Sequence, residues 1–427
     1  MRPVNIVSCT LSMGTGNGIS RMDEALARSV DRGRFRYTCC FTDISHPDTI
    51  RVPDWCVAVP AARRFERLCA LFREADIVQF NGGFDPVACE AAAATGVPTL
   101  IEIMHQCDRG QRSPAIDVTV CVSEAVRAVQ PFPERTEVIH NGIDTDLFRP
   151  AAPRPRDRTI LLEVAQRGKA VHFHLDELAE PLLAVAPGIE LLLAGSGQTG
   201  PDAHQGRVRF LGLRRDMPDL YAKAHFLVLA SKQDAFGLAC AEAMACGCLP
   251  IVSADGGMAE IVTHGRTGWL FDPRDRQGFL DLVRRAVAGE SADGLETMRR
   301  QARAAILEQY SLGRCIDRYE RLYLECAARN GLRQAPAAGP WLRRSAEGLI
   351  GETIMAAQAR LDLEAIVAPW LDTLDLPLSP LGEPDDAYWR VCRTMLLSLF
   401  AEIARAGYQP LADALTARLE RLFPLHS

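Results

Sequence analysis

The stretch AHFLVLASKQDAFGLACAEAMACG, from Ala224 to Gly247, decides the fold of the C-terminal half of this chain. AHFLVLAS predicts a buried strand, KQDAFG predicts the turn that follows it, and LACAEAMACG predicts a short helix ending at Gly247. Two acids, Asp234 and Glu242, lie eight residues apart in this apolar setting. A buried carboxylate is costly unless a partner satisfies it. Either both acids lie at the surface, therefore, or a ligand binds them.

The position of the turn after a strand favours a ligand, because open α/β sheets bind ligands beyond the carboxyl ends of their strands. The first amides of the predicted helix, those of Phe236, Gly237 and Leu238, would point there and could bind an anion. Glu242 follows Leu238 by one helical turn, and a carboxylate can accept two hydrogen bonds from a sugar diol. The alternative is that Glu242 only complements the helix dipole and that Asp234 caps a turn.

The composition is that of a globular chain: 427 residues, of which 48% are hydrophobic and 24% charged, enough for two domains and an addition. The net charge of -6 gives no electrostatic reason to expect nucleic acid as a partner. The 14 cysteines form no CxxC motif and no zinc-finger spacing, so we interpret them as free thiols in a reducing, cytoplasmic setting. The first residues predict a strand and a glycine loop rather than a signal peptide, and no apolar run is long enough to span a membrane.

Short apolar strands alternate with amphipathic helices along most of the chain, which predicts parallel, doubly wound sheets. The segment FRPAAPRPRDRT, from Phe148 to Thr159, is rich in proline and arginine and predicts a linker. From Trp341 onward the strand pattern ends and only helical spacing remains. We therefore predict four units, in chain order: an N-terminal domain at 1–150, a C-terminal domain at 157–310, a returning helix at 311–330 and a helical extension at 341–427.

The segment SKQDAFGLACAEAMACGCLPIVSADGGMAEIVTHGRTGWLFDP, from Ser231 to Pro273, resembles the donor-binding segment of the retaining glycosyltransferase family 4. Members typically carry two glutamates separated by seven residues, and Asp234 and Glu242 keep that spacing with a first acid one methylene shorter. MGTGNGISRMDEALA, ADIVQFNGGFDP, GVPTLIEIMH, VCVSEAV and VIHNGIDTDLF follow in the family's order, so the resemblance covers about residues 1–325. It implies an α/β chain of GT-B fold, with two facing Rossmann-like doubly wound domains and, in this chain, an added α-helical C-terminal extension.

The resemblance also implies roles for single residues. Glu242 is expected to hold the ribose hydroxyls of a nucleotide-sugar. Asp234 and the backbone amides of Phe236, Gly237 and Leu238 are expected to hold hydroxyls of the transferred sugar. The alternatives from the residues alone, a dipole partner and a turn cap, stay open.

Further roles are implied for residues outside that segment. Arg167 and Lys169 are expected to neutralise the diphosphate, and His105, at the end of PTLIEIMH, to contact the donor sugar or a nearby phosphate. Gly16 and Gly18, in the first strand-to-helix loop, would let a backbone amide reach a phosphate or the acceptor. The alternatives are a solvated loop, a core or edge histidine and an ordinary tight turn. The expected catalytic residues are Asp234, His105, Arg167 and Lys169.

Three other patterns point to functions that we reject. GSGQTG, from Gly195 to Gly200, matches a dinucleotide fingerprint, but the residues after it do not form an apolar-faced helix. The DTD from Asp144 to Asp146 mimics a metal-binding motif of a different glycosyltransferase fold, whereas the resembling family has a turn there, so we expect no metal. AARRFERLCALFREA is basic and amphipathic, but it precedes a strand and is expected to pack on the sheet, so membrane contact would be peripheral at most.

The sequence thus predicts an enzyme: a metal-independent, retaining, hexosyltransferase-like glycosyltransferase that uses a UDP- or GDP-linked sugar and no cofactor. The acceptor is expected to be a small molecule or natural-product intermediate. Two alternatives stay open, a catalytically weak nucleotide-sugar-binding or scaffold protein and an epimerase of the same fold. The helical extension could support the acceptor pocket, dock a partner or form a homodimer.

Overall fold

The computed structural model describes residues 2–13, 18–44, 55–59, 64–81, 86–107, 116–151, 153–167, 171–289, 292–333, 404 and 409–422. The strands within these residues form two parallel sheets, one on each side of the predicted linker.

The N-terminal sheet has seven strands: β1 Val4–Met13, β2 Phe35–Ile44, β3 Cys56–Ala58, β4 Ile77–Asn81, β5 Thr99–Met104, β6 Val118–Cys121 and β7 Thr136–Val138. Four helices connect them: α1 Gly18–Ser29, α2 Arg64–Phe72, α3 Pro86–Thr95 and α4 Glu124–Arg127. The strands lie in the order β3-β2-β1-β4-β5-β6-β7. Every residue of β4 and β5 is buried, as expected for central parallel strands that are covered on both faces.

The C-terminal sheet has six strands: β8 Thr159–Val164, β9 Ile189–Ala194, β10 Val208–Gly212, β11 Phe226–Leu229, β12 Leu249–Ser253 and β13 Trp269–Phe271. Its helices are α5 Ala179–Leu183, α6 Met217–Lys223, α7 Leu238–Ala245, α8 Met258–Ile261 and α9 Arg276–Ala288. The strands lie in the order β10-β9-β8-β11-β12-β13.

Both sheets reverse their strand order at one point, between β1 and β4 in the first and between β8 and β11 in the second. The connections on either side of such a point leave in opposite directions, which opens a crevice at the carboxyl ends of the strands. The carboxyl ends of β1, β8 and β11 therefore lie where a ligand would be bound in this type of sheet.

Among the described residues up to 333, two helices follow the second sheet: α10 Ala292–Gln309 and α11 Leu312–Asn330. The first packs on α7, whereas the second returns to the N-terminal sheet. There the Tyr323 hydroxyl donates to Gln79 Oε1 at 2.7 Å, and the Asn330 amide donates to Asp117 Oδ1 at 2.9 Å. This packing, built on the helical spacing of Ile316, Tyr319 and Tyr323, ties the end of the second half of the chain to the first.

The basic amphipathic segment of the sequence forms α2, whose Phe65, Leu68 and Phe72 are buried against Val7 and Val78 of the sheet. Among the described residues, no helix combines the length and the apolar content that crossing a membrane requires. Of the predicted extension at 341–427, the structure describes residue 404 and one helix, α12 Gln409–Leu422, and the remainder lies outside the described residues.

Candidate functional site

The turn between β11 and α7 has a backbone that only glycine adopts easily. Gly237 lies in the left-handed region with φ of +94°, and a Cβ added there would stand 2.5 Å from Met258 Cγ. The amide of Phe236 donates to Asp234 Oδ1 at 3.3 Å. Asp234 therefore lies beside the start of α7, where the amides of the first turn point out of the helix without an intrahelical acceptor.

A glycine pair in the next loop, Gly256 and Gly257, fixes the backbone of Asp234. Its carbonyl oxygen accepts the amide of Gly257 at 2.7 Å, and its backbone pairs with Gly256. A Cβ at Gly256 would lie 2.4 Å from the Asp234 carbonyl oxygen, so a side chain there would push the two loops apart. The loops after β11 and β12 are thus packed backbone to backbone at the carboxyl edge of the sheet.

Glu242 lies one turn into α7 and is buried, with 4% of its side chain exposed. The hydroxyl of Tyr221, on α6, donates to Glu242 Oε2 at 3.2 Å, and the Arg21 guanidinium forms an ion pair with Oε1. Burial raises the pKa of the Glu242 carboxyl, and the positive charge of Arg21 opposes that rise. Glu242 is therefore an inward-facing carboxylate, not an exposed partner of the helix dipole.

Arg21 belongs to α1 of the N-terminal sheet, so its ion pair with Glu242 joins the two halves of the chain. The first turns of the two helices also meet elsewhere, because a Cβ added at Gly18 would lie 2.8 Å from Leu238 Cδ1. Since α1 follows β1 and α7 follows β11, the carboxyl edges of the two sheets face each other here. The structure thereby brings together six of the residues predicted from the sequence, Gly18, Asp234, Phe236, Gly237, Leu238 and Glu242.

A second contact between the halves involves Glu260 on α8. Its carboxylate accepts the amides of Glu124 and Ala125, the first residues of α4, at 2.9 and 2.8 Å. His140 Nε2 lies 3.4 Å from the same carboxylate. Burial opposes ionisation of Glu260, but these hydrogen bonds outweigh it and hold its pKa below the usual value. The N-terminus of α4, the positive end of its helix dipole, thus faces the Glu260 carboxylate from the C-terminal sheet.

The loop after β8 holds the predicted cation Arg167. Its guanidinium donates two hydrogen bonds to Asp176, at 2.9 and 2.6 Å, and these bonds lower the pKa of the Asp176 carboxyl. The Arg167 amide donates to Ser196, in the loop after β9. Lys169 and Gly16 lie outside the described residues. A role for Arg167 and Lys169 at a diphosphate stays a prediction.

His105 directly follows β5, at the carboxyl edge of the N-terminal sheet. Its Nε2 is buried and has no hydrogen-bond partner among the residues that the structure describes. Burial lowers the pKa of the imidazole to about 4, so the ring is neutral at physiological pH. A neutral imidazole with an unsatisfied nitrogen can donate or accept one hydrogen bond to a ligand, depending on its tautomer.

Sequence reasoning missed three side chains of this region. Arg21 and Tyr221 hold Glu242. His172, whose amide donates to the carbonyl of Ala230 just after β11, places Nε2 3.3 Å from Asp255 Oδ2. One signal was available for Arg21: a cation in the first turn of a helix opposes the helix dipole and calls for a nearby acid. Nothing local marks Tyr221, which resembles any buried aromatic residue.

Two of the three rejected patterns form turns. Asp144 Oδ1 accepts the amides of Asp146 and Leu147, at 3.1 and 3.0 Å. The residues after Gly200 make a tight turn into β10 instead of a helix. Within the described ranges, no group of three or more histidine, cysteine, aspartate or glutamate side chains is arranged to hold a metal ion.

Comparison with known sequences finds a similarity in the second sheet. Residues 160–288 match the family described as "Glycosyl transferases group 1". The chain is 32% identical over 144 residues to N-acetyl-alpha-D-glucosaminyl L-malate synthase of Bacillus anthracis, covering 32% of this chain and 37% of that protein. It is 33% identical over 171 residues to D-inositol 3-phosphate glycosyltransferase of Mycobacterium bovis, covering 35% and 36%. The match therefore spans little more than a third of the length of these relatives.

Comparison with solved structures concerns a larger part of the chain. HepE of Anabaena, whose crystal structure contains UDP and glucose, superposes with a TM-score of 0.61 at 19% identity, covering 74% of this chain and 98% of that one. At this identity the likeness is one of fold. It confirms the predicted GT-B arrangement of two Rossmann-like units.

Proposed function

We propose that this chain is a glycosyltransferase that moves a sugar from a nucleoside-diphosphate sugar to an acceptor, a proposal that the match of residues 160–288 to the group 1 glycosyltransferases supports. The acceptor is proposed to be a small molecule or natural-product intermediate, bound on the side of the N-terminal sheet. The proposal concerns the whole chain, whereas the family match covers residues 160–288 of 427.

The placement of Asp234 and Glu242 carries the proposal. Both lie at the carboxyl edge of the C-terminal sheet, beside the switch point, and Glu242 contacts Arg21 on α1 of the other sheet. Glu242 is buried and ionisable, and it has lone pairs beyond those that Arg21 and Tyr221 use. A buried carboxylate in this position is suited to accept hydrogen bonds from two neighbouring hydroxyls, such as those of a ribose.

The donor is proposed to be UDP- or GDP-linked. The crystal structure of HepE, which shares the fold, contains UDP and glucose, and this supports a nucleotide-sugar as the donor of this chain. Glu242 would hold the ribose, and Asp234 with the amides of Gly237 and Leu238 would hold hydroxyls of the sugar. The amide of Phe236, predicted for the same role, donates to Asp234 Oδ1 and would act by orienting that carboxylate. His105, with its unsatisfied Nε2, would contact the sugar or the phosphate from the opposite sheet.

The reaction breaks the bond between the anomeric carbon and the phosphate oxygen and forms a bond from that carbon to the acceptor. In the retaining course that we propose, the acceptor attacks from the face that the leaving group vacates, and its proton passes to the departing phosphate oxygen. No metal takes part in this scheme. The charge that develops on the diphosphate would be stabilised by Arg167 and Lys169.

A catalytically weak nucleotide-sugar-binding protein is the second candidate, because Arg167 is already paired with Asp176 and because position 234 has the shorter acid. Such a protein would be stabilised by a nucleotide-sugar but would leave it intact. An enzyme would release the nucleoside diphosphate.

The test is thermal unfolding of the chain with UDP, GDP, ADP and dTDP and with their sugars, followed by mass analysis of the products. We expect one nucleotide series to raise the midpoint, and Glu242→Gln to abolish most of that rise. Glu180→Gln, an exposed substitution on α5, is the matched control and should leave it unchanged. If no nucleotide stabilises the chain, the proposal is wrong. Stabilisation without any release of nucleoside diphosphate supports the second candidate instead.

A further inference from the structure

We propose that Arg21 is a positioning residue for the donor: it holds the Glu242 carboxylate in place from the opposite sheet, so that the ribose site is complete only when the two sheets are apposed. The inference rests on the proposed function, since it assigns to Arg21 a part in the ribose site of the donor. It differs from the roles predicted from the sequence, which place the cations of the site only at Arg167 and Lys169.

The position of Arg21 on its helix is unfavourable without a partner. It is the fourth residue of α1, within the first turn, where the helix dipole disfavours a positive charge. Its guanidinium forms the ion pair with Glu242 and also lies over the ring of Phe148, 5.9 Å from the centroid. Both contacts are with residues far along the chain, so they are what fixes the side chain in this position.

Glu242 depends on this ion pair. Its side chain is 4% exposed, and its other hydrogen bond described by the structure comes from the neutral hydroxyl of Tyr221. Burial raises the pKa of the Glu242 carboxyl, and the charge of Arg21 opposes this rise. Without Arg21, the carboxylate would be a buried charge with one neutral donor, which favours protonation or a turn of the side chain toward water. Either change would remove an acceptor from the site.

The two contacts do not use the full hydrogen-bonding capacity of the Glu242 carboxylate. Arg21 uses Oε1 and Tyr221 uses Oε2, and each carboxylate oxygen has two lone pairs. Lone pairs therefore remain on both oxygens for hydrogen bonds from a diol. Arg21 is half exposed, with 45% of its side chain accessible, so the ion pair lies at the edge of the space between the sheets.

The consequence is a coupling between donor binding and domain apposition. The contact of Gly18 with Leu238 brings the first turns of α1 and α7 together, and Arg21 reaches Glu242 only from this arrangement. If the sheets moved apart, Glu242 would lose its cation and the ribose would lose a well-placed acceptor. Donor affinity and closure are then favoured together.

The test compares UDP with its 2′,3′-dideoxy analogue, which lacks the hydroxyls that Glu242 would hold. Dissociation constants are measured by calorimetry for the full chain, for Arg21→Met, for Arg21→Lys and for the control Arg28→Met, an exposed arginine of the same helix that pairs with Glu24. We expect Arg21→Met to weaken UDP binding about tenfold, as for loss of a hydrogen bond to a charged group, and to change binding of the dideoxy analogue little. Arg21→Lys should recover most of the loss, and Arg28→Met should bind as the wild type does.

Several results would overturn the inference. Tighter UDP binding by Arg21→Met would show that Arg21 competes with the ribose. Equal losses of affinity for UDP and for the dideoxy analogue would mean that Arg21 contacts the phosphates or only stabilises the fold. An unchanged affinity for UDP would mean that Arg21 does not contribute to donor binding. In each of these cases the wild type still binds UDP, so the proposed donor class survives. If the wild type binds none of the nucleoside diphosphates, the proposed function and this inference fail together.

Discussion

Arg167 and Asp176 form an ion pair with two hydrogen bonds, at 2.9 and 2.6 Å, on the loop that follows β8. The pair orients the guanidinium while leaving three of its five N-H donors for another acceptor. The amide of Arg167 is fixed in turn by the carbonyl of Ser196. An arginine held in this way can present a preorganised charge to a diphosphate at the carboxyl edge of the sheet.

We therefore expect Arg167→Met to weaken binding of UDP about tenfold and to leave binding of uridine nearly unchanged, because only UDP carries the diphosphate. Calorimetric titration with both ligands measures the difference. Arg158→Met is the matched control, since Arg158 pairs with Glu190 at the amino ends of the strands of the same sheet, away from the proposed site. Equal effects on UDP and uridine would remove Arg167 from the diphosphate site.

Asp234→Glu tests whether the acid after β11 contacts the sugar. Glutamate is longer by about one methylene, so its carboxylate would hydrogen-bond to a different set of sugar hydroxyls from those that Asp234 contacts directly. We expect the order of preference among a panel of donor sugars to change, while affinity for the free nucleoside diphosphate stays the same. An unchanged order of preference would mean that Asp234 does not contact the sugar of the donor.

Gly237→Ala should lower the free energy of unfolding by at least about 2 kcal/mol, because it adds both a left-handed strain and a collision with Met258. Gly265→Ala separates the two causes, since φ there is +74° and a Cβ would meet nothing within 4 Å. For Gly265→Ala we expect the free energy of unfolding to fall by about 1 kcal/mol, from the backbone strain alone. Urea unfolding of both variants measures the difference, and equal losses would contradict the packing of Gly237 on Met258.

Glu260 predicts a pH-dependent contribution to stability. Burial opposes its ionisation, but the hydrogen bonds from His140 and from the amides of Glu124 and Ala125 hold its folded pKa below the ordinary 4.5. A group with a lowered folded pKa stabilises the protein above its unfolded pKa and loses that effect as the pH falls through the folded value. Glu260→Gln should therefore cost about 1 kcal/mol at neutral pH, and progressively less as the pH falls below about 4.5.

Urea unfolding near pH 7 and near pH 4 measures this difference. Glu180→Gln, on the surface of α5, serves as the control and should show no comparable loss at either pH. A constant difference between Glu260→Gln and the wild type at both pH values would mean that the Glu260 carboxylate is not ionised in its contact with α4.

Much of the fold follows from local sequence. The strand β11, the turn with Gly237 and the helix α7 are encoded by an apolar run, a glycine and helical spacing, all within 22 residues from Ala224 to Ala245. The parallel sheets follow from the alternation of such units, because a parallel strand needs a crossover before it. The predicted fold class is confirmed for this reason.

The contacts that complete the site could not be predicted in the same way. Arg21 and Glu242 are 221 residues apart, and Glu260 and Glu124 are 136 residues apart, so their pairing depends on how the two sheets meet. The pairing of Arg167 with Asp176 spans only nine residues, but the short helical turn at Leu175–Leu178 that carries Asp176 has no distinct local pattern. Local periodicity determines the elements, whereas the choice of partner for a charged side chain is decided by tertiary structure.

The position of a bound nucleotide tests the central claim most directly. A crystal structure of the chain with UDP should show the ribose hydroxyls within about 3 Å of the Glu242 carboxylate oxygens, between α7 and the start of α1. Arg21 should still contact that carboxylate in the complex. A nucleotide bound elsewhere, with Glu242 paired only to Arg21 and Tyr221, would contradict the account.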